Sequence, residues 1–517
     1  MGFVQLVIAV FVAIAALLVH ARFRRTSRPP LPPGPPGEPF LGHLRIAPVG
    51  NPERAYQNWS REFNSDVIHF SVLNREIIVL NSAKAAVDLL DKRGANYRDR
   101  PNFTLFEIMG MRNTLGFLRW GPQFQRHRRL LQGSFTKRNI EAFRELQVSE
   151  SRILVKNLIE KPEAYANLLR RFSSALIMGI VFGYRMTSDY DRYDQIGADA
   201  SYAISHVGAP GGSSVDFFPL LRHLPDWLPF PSSLKYARKW SWAIEQLYEI
   251  PFAAVQEQVR QGIAPRSFIV PLLERINTPA EKGIVPDMGP ADLKGAAGTV
   301  YIAGQDTTSA TLGIFLLNMV LSPEVQLKAQ NELDSIIGFD RLPTLEDRPS
   351  LPYIERVMQE TLRWYPVLPL GIPHKSEDND IYQGMFIPKG SIVFANAWSM
   401  GRDEAVYKDP SLFNPDRYAP ISEGGNSEPP PVGHFGFGRR ICVGRHLAES
   451  TLWIAMATVL ASLTIGREIG PDGQEIPPNV GFTPGLTSHA EAFKCTIRAR
   501  SKHAEDMIMS TAVVTAV

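Results

Sequence analysis

The sequence predicts a mainly α fold with small β-sheets (α+β), built as one large unit, and three observations carry that expectation. Stretches at 139–159, 162–182, 234–260 and 322–337 place apolar residues at three- and four-residue intervals, which gives a helix one continuous apolar face. The segment 67–80 instead carries apolar runs broken at Leu73-Asn74-Arg75, the pattern of a hairpin. No internal repeat and no long linker follows residue 50, so the 517 residues read as a single body with room for a large core.

The N-terminus is a different material. Residues 3–19 are apolar except for Gln5, long enough with their flanks to cross most of a bilayer as a helix. Arg22, Arg24, Arg25 and Arg28 follow at once and no basic residue precedes them, so the positive-inside rule keeps everything after residue 20 in the cytosol. Val19-His20-Ala21 also has the form of a signal-peptide cleavage site, but the charge lies on the wrong side of the apolar stretch for secretion. The expected organisation is a transmembrane anchor at 1–21, a basic stop-transfer and proline-rich hinge at 22–50, the main body at 51–500 and a flexible tail at 501–517. Within the hinge, Pro29-Pro30-Leu31-Pro32-Pro33-Gly34-Pro35-Pro36-Gly37 forms a stiff, extended spacer.

A formal charge of +3, evenly spread and with no basic run interleaved with aromatics, sets nucleic acid aside as a partner. Cys442 and Cys495 are the two cysteines of the chain, too few for a secreted disulfide framework and consistent with a reducing, cytosol-facing environment. Cys495 lies in a run that alternates like a strand, which fits a half-buried structural thiol.

Cys442 has a different setting. Phe435-Gly436-Phe437-Gly438-Arg439-Arg440-Ile441-Cys442-Val443-Gly444 places it among glycines, arginines and an aromatic, as a thiolate metal ligand requires. Nearby positive side chains keep a thiolate ionised, and Gly438 and Gly444 permit close backbone approach. The bland alternative is a buried free cysteine in a glycine-rich turn. A second unusual segment interrupts the long apolar helix expected over 293–321, where Ala303-Gly304-Gln305-Asp306-Thr307-Thr308 sets an acid and two hydroxyls among apolar residues. Such groups are costly there unless used. The Thr307 hydroxyl can bond the carbonyl of Ala303 and bend the helix, with Gly304 leaving room for a small ligand, or the segment is a kink with a satisfied aspartate.

The spacing Phe435-x-x-Gly438-x-Arg440-x-Cys442-x-Gly444 resembles the haem-binding loop of the cytochrome P-450 superfamily. Asp306, Glu360, Arg417 and Cys442 follow in that family's order, so the resemblance covers essentially the whole chain. It implies the cytochrome P-450 fold, with 51–500 as a haem-thiolate catalytic domain, haem b (iron protoporphyrin IX) as cofactor and Cys442 as the axial ligand of its iron. The resemblance also assigns roles. Thr307 and Asp306 match the acid-alcohol pair, in which Thr307 would hold the iron-bound peroxide and Asp306 would connect it to solvent protons, with Ala303 above the iron. Glu360 and Arg363 in Glu360-Thr361-Leu362-Arg363, a weak pattern alone, would join Arg417 in a buried triad that locks a helix to the loop before Cys442. Arg440, His374 and Arg128 are the expected cations for the two haem propionates, the alternative for Arg128 being a solvated helix face shared with Arg126 and Arg129. One departure stands out: Phe124 occupies the position where the family has tryptophan, so an indole donor is missing and a modestly weaker haem grip is expected.

By the same resemblance the substrate pocket would draw on 102–117, 207–230, Ala303, 367–372 and 482–486. The apolar run Phe217-Phe218-Pro219-Leu220-Leu221 with Trp227-Leu228-Pro229-Phe230 suits either a membrane-dipping patch or ordinary core packing. No flavin or nicotinamide fingerprint occurs, so electrons are expected from an NADPH-cytochrome reductase, with cytochrome b5 as a second donor. Arg126, Arg128, Arg129, Arg439 and Arg445 would form the basic face that receives it. The expected enzyme is a monooxygenase that uses dioxygen to oxidise a lipophilic small molecule at the endoplasmic reticulum membrane, most like fungal microsomal members acting on secondary metabolites, lipids or xenobiotics. A haem-thiolate isomerase or peroxygenase, or a non-catalytic haem sensor, stands as the alternative; the sensor has no need of Asp306 and Thr307.

Overall fold

A computed structural model describes residues 29–48, 50–187, 191–208, 211–228, 232–277 and 288–514. The anchor expected at 1–21 and the arginines up to residue 28 lie outside these. Among the described residues no single helix is long and apolar enough to cross a membrane.

Helices of eight or more residues are α1 (Pro52–Glu62), α2 (Pro122–Ser134), α3 (Arg144–Glu160), α4 (Tyr165–Phe182), α5 (Arg192–Ser205), α6 (Ser232–Arg260), α7 (Val270–Asn277), α8 (Pro290–Leu321), α9 (Pro323–Ile336), α10 (Pro352–Trp364), α11 (Arg445–Ser462) and α12 (Lys502–Val514). All four periodic stretches of the sequence are helical, two of them entered through a short 3-10 turn, at Asn139–Phe143 and Pro162–Ala164. Helix α4 stops where Gly183 takes a left-handed φ of 70°, and the amides of Gly183 and Tyr184 close onto the carbonyls of Gly179 and Met178.

Strands β1 (Val67–Val72) and β2 (Arg75–Leu80) form the expected hairpin. Its two-residue turn, Leu73 and Asn74, has positive φ at both positions, the turn whose twist matches paired strands. With β3 (His374–Lys375), β4 (Asp380–Tyr382), β5 (Met385–Ile387) and β6 (Ile392–Ala395), a four-stranded sheet of order β1-β2-β6-β3 and a separate β4-β5 pair arise. Among the described residues only the β2–β6 pairing is parallel. A third sheet joins β8 (Glu475–Ile476), β7 (Leu463–Ile469) and β9 (Cys495–Ala499). Cys495 is half-buried on β9, and burial pushes its thiol up to about 11, which keeps it protonated and unreactive.

Helix α8 is the axis of the body. Its residues are apolar around nearly the whole circumference and most are buried, as in a helix sheathed by others. It packs against α4, α6 and α2 on one side and α11 on the other. The tail expected to be flexible from 501 is instead helical over α12: Ile508 is fully buried and the His503 ring donates to the Phe339 carbonyl at 2.8 Å. An apolar stripe of alanine, methionine and isoleucine gives this segment a face to dock, which a purely polar tail lacks.

Candidate active site

The cysteine loop is shaped by backbone bonds. The Cys442 amide donates to the Phe435 carbonyl at 2.8 Å, and a 3-10 turn at Gly438–Arg440 brings the chain round. Gly438 adopts a φ of +53°, its amide donates to Asp91, and a Cβ there would lie 2.1 Å from the Leu90 carbonyl oxygen, so no larger residue fits. Gly444 caps the start of α11, and a Cβ at that position would sit in ordinary contact, 4.0 Å from the Cys442 sulfur. Burial pushes the Cys442 thiol up, while the Gly444 amide and the charges of Arg128 and Arg445 oppose it. The thiol therefore gives up its proton to a bound cation far more readily than to solvent.

Cys442 exposes its surface to a cavity of about 320 Å³ enclosed between α8, α11 and the cysteine loop. Ala303 and Thr307 open onto the same space, so α8, buried elsewhere, is exposed to the interior at this point. The Thr307 hydroxyl donates to the Ala303 carbonyl at 2.8 Å, which leaves its oxygen lone pairs to accept from a ligand. Gly304 lines the cavity as well. Its missing side chain is taken up by Ile177 of α4, whose Cδ1 would be 2.5 Å from a Cβ.

One rim of the cavity is cationic. Arg100 is buried and donates to the carbonyls of Gly116 (3.1 Å), Ile372 (2.5 Å) and Pro373 (3.0 Å). His374 donates from Nδ1 to the Tyr97 carbonyl at 2.7 Å, leaving Nε2 as the other face of the ring. Arg440 donates to the carbonyls of Arg98 (2.6 Å) and Leu118 (2.9 Å), and its buried Nη2 has no partner. Burial depresses all three basic groups, Arg440 to about 9, and Arg100 and Arg440 further depress His374. The nearest carboxylate, Asp99, is occupied by Arg119 and the Trp120 amide. Basic groups so depressed, with an orphaned N–H among them, need an anion. A thiol, an apolar slot and an unmatched cationic rim together fit a flat apolar macrocycle bearing carboxylates and a thiophilic metal.

Arg128 reaches the cavity too, but it donates to the Ile441 carbonyl at 2.5 Å and its charge bears on Cys442. Phe124 does more than leave a donor missing: its ring centroid lies 3.7 Å from the Arg440 guanidinium, a cation–π contact.

Asp306 and Thr307, adjacent in sequence, point apart. Asp306 is 2% exposed, lies off the cavity, and accepts from Ser201 of α5 and from His489 Nε2 at 3.1 Å. Burial raises its acid, but the His489 charge and the bonds from His489, Ser201 and Thr487 outweigh that and hold it below the usual carboxylate range. Farther from the cavity, Glu360 takes Arg363 in two bonds (2.7 and 2.8 Å) and Arg417 at 3.1 Å, all three fully buried. Tyr418 adds its hydroxyl at 2.8 Å, and Glu428 holds the far side of Arg417 at 2.7 Å.

Comparison with known proteins decides the family, since the model described as Cytochrome P450 matches residues 32–491. The chain belongs to the cytochrome P450 family. A cytochrome P450 monooxygenase (176) of Postia placenta is 35% identical over 91% of this chain and 90% of its own. Another from Armillaria gallica is 35% identical over 98% of each. The tryptamine 4-monooxygenase of Psilocybe cyanescens is 33% identical over 96% of this chain and 98% of its own. This P450 is thus an oxidoreductase of monooxygenase type with a haem-iron cofactor, a redox partner, dioxygen and a small-molecule substrate.

Within the P450, the pocket differs from its expected lining. Leu115, Gly116, Ala303, Val367, Leu368, Gly371 and Ile372 line it as expected, whereas no described residue of 207–230 or 482–486 does. Phe482 is stacked on Tyr365 with ring centroids 3.5 Å apart, and Leu486 joins the core. Helix α4 replaces them through Leu176, Ile177 and Ile180. Sequence reasoning also missed Arg100, which sits in the charged run Arg98-Asp99-Arg100 with nothing local to mark it out, and His489, which has no local signature. The basic face is smaller than expected: Arg126 pairs with Asp292 at 3.3 Å and Arg128 is turned into the cysteine loop.

Proposed function

We propose that this chain is a haem b monooxygenase in which Cys442 ligates the iron, with Arg100, His374 and Arg440 taking the two propionates. The single observation that carries the reading is the shared cavity, onto which the Cys442 thiol, the Thr307 hydroxyl and the unmatched cationic rim all open. A thiolate-ligated haem supplies dioxygen activation. The protein's own contribution is distinct. Thr307 accepts a hydrogen bond at its oxygen and passes a proton on, Asp306 stores the next proton, and the packed apolar wall excludes water.

The substrate is a lipophilic small molecule, a secondary metabolite, lipid or xenobiotic. The wall is dominated by leucine, isoleucine, valine and alanine, and no carboxylate lines the cavity among the described residues. A cationic amine finds no counter-ion there, so neutral or anionic molecules are favoured. Electrons come from an NADPH-dependent reductase, cytochrome b5 being a second donor, docked near the exposed Arg129 and Arg439 beside the cysteine loop. The protein resides on the endoplasmic reticulum membrane through residues 1–21. Phe218, Leu220 and Trp227 are exposed, as are Phe40, Leu44 and Ile46, and Arg75 ties the two groups to one side by donating from the hairpin to the Phe217 carbonyl at 3.1 Å. Such an apolar surface suits an interfacial lipid layer.

The test is the carbon monoxide difference spectrum of the reduced, full-length protein in membranes. A strongly red-shifted Soret band is expected. An unshifted band alone overturns thiolate ligation, and absence of haem overturns the whole reading.

A further inference from the structure

Asp306 is shut away from water. Its carboxylate is 2% exposed, its Oδ2 is buried without a partner, and Oδ1 accepts from Ser201 and His489. A buried acid that must supply protons repeatedly needs a titratable neighbour able to reload it, because a hydroxyl such as Ser201 exchanges protons only when something else drives it. His489 is such a neighbour, with Nε2 3.1 Å from Oδ1 and a side-chain exposure of 24% against 2% for Asp306.

The turn that carries His489 is tightly held. Phe482 pairs with Ala490, the Thr483 amide donates to the His489 carbonyl at 2.9 Å, and the His489 amide returns a bond to Thr483 Oγ1 at 3.0 Å. Ser488 fastens the turn to the cavity wall by donating to the Val367 carbonyl at 2.8 Å. The ring is thereby fixed between the centre of α8 and the outside. The groups facing the pair are Ser201 from α5, Thr487 from the same turn, and the two charges themselves; among the described residues the charge bearing on His489 is that of Asp306.

The geometry points to His489 as the proton-entry residue of oxygen activation, a positioning and relay group acting through Asp306, and this rests on the monooxygenase reading above. In the step, Nε2 of the His489 imidazolium gives its proton to Asp306 Oδ1. The ion pair becomes a neutral ring and a carboxylic acid, and the ring regains a proton from solvent. No electrons move and no other bond is broken. The carboxylic acid is then the source for the Thr307 side of α8.

The experiment compares wild type, His489→Gln and Ser201→Ala, full-length and reconstituted with a reductase, with 7-ethoxycoumarin as probe. Hydrogen peroxide released per NADPH oxidised is followed from pH 6 to 9, a ratio that needs no oxidised probe. Glutamine keeps a donor toward Asp306 but cannot titrate. The peroxide share is expected to rise about threefold or more in His489→Gln and to lose its pH dependence, whereas Ser201→Ala keeps the wild-type pH profile. In a second readout, independent of turnover, the His489 ring is followed by carbon-13 histidine labelling and assigned by its absence in His489→Gln. Its titration is expected above the ordinary histidine range and to fall back in Asp306→Asn. An unchanged peroxide ratio and pH profile in His489→Gln overturns the relay. An equal loss in Ser201→Ala also overturns it, since the effect is then structural, and a titration indifferent to Asp306→Asn overturns the pairing. Failure of the monooxygenase reading shows separately, as the absence of the red-shifted carbon monoxide band in wild type.

Discussion

Replacing Glu360 by alanine tests whether the buried charge cluster is the fastening of the cysteine loop. Glu360 accepts from Nε and Nη2 of Arg363, from Arg417, from the Tyr418 hydroxyl and from the Asn414 amide, all at 2.7–3.1 Å. Its removal leaves two fully buried guanidiniums without their shared carboxylate. Arg417 retains Glu428, and Arg363 retains the carbonyls of Gly401, Pro410 and Leu412, so neither is wholly stranded. Breaking a buried pair from one side costs about 3 to 5 kcal/mol. For a chain of this size the entropy of unfolding is about 1 kcal/mol/K, so the midpoint should fall by about 3 to 5 °C. Glu428→Ala removes only the outer partner and should cost less, about 1.5 to 3 kcal/mol for a charged hydrogen bond. Thermal unfolding followed by circular dichroism gives both midpoints, and the carbon monoxide spectrum reports whether the cysteine loop is disturbed. A Glu360→Ala midpoint within about 1 °C of wild type, or Glu428→Ala as damaging as Glu360→Ala, refutes the reasoning that the shared carboxylate dominates.

Cys442→Ser should abolish the red-shifted carbon monoxide band while leaving the fold intact by circular dichroism, since the cysteine amide bond to Phe435 does not involve sulfur. Gly438→Ala forces a Cβ to within 2.1 Å of the Leu90 carbonyl at a φ of +53°; a loss of at least about 1 to 2 kcal/mol from the backbone conformation alone is expected, read as lower haem content and midpoint. Arg440→Met removes from the rim a cation with an unpartnered Nη2 and should lower haem retention in a dialysis assay, because the incoming carboxylates lose a partner. The Asp306–His489 pair should shape stability against pH. Asp306 lies below its ordinary value, so its share is present above about pH 3.9 and lost as pH falls through the folded value; His489 lies above its ordinary value, so its share is present below about pH 6.5 and lost as pH rises through the folded value. The midpoint difference between wild type and Asp306→Asn is therefore largest between about pH 4 and 6.5 and shrinks on both sides.

What could be read from the chain alone was what is local. The helices announce themselves because their apolar period repeats every turn, and the cysteine loop because Gly438 answers a backbone demand only glycine meets, set as it is against Leu90. Asp306 and Thr307 were visible because polar groups in an apolar helix are conspicuous. Where each of them points was not. Side chains one position apart on a helix diverge by about 100°, so when Thr307 faces the cavity Asp306 must face the elements packed behind α8. Those elements, α5 and the turn at 482–490, come from distant parts of the chain, and no spacing rule links His489 to Asp306. The same reason hid Arg100, which meets Arg440 and His374 only because β3 is laid beside the loop after residue 96, its Lys375 amide bonding to the Asp99 carbonyl at 2.9 Å. It also explains why 482–486 was wrongly placed in the pocket: the stacking of Phe482 on Tyr365 turns that segment toward α10, and the same stacking carries His489 to the back of α8. One packing choice therefore withdraws the turn from substrate contact and delivers it to the proton path, so mutations that loosen Phe482 against Tyr365 should act on oxygen use before they act on which substrate is taken.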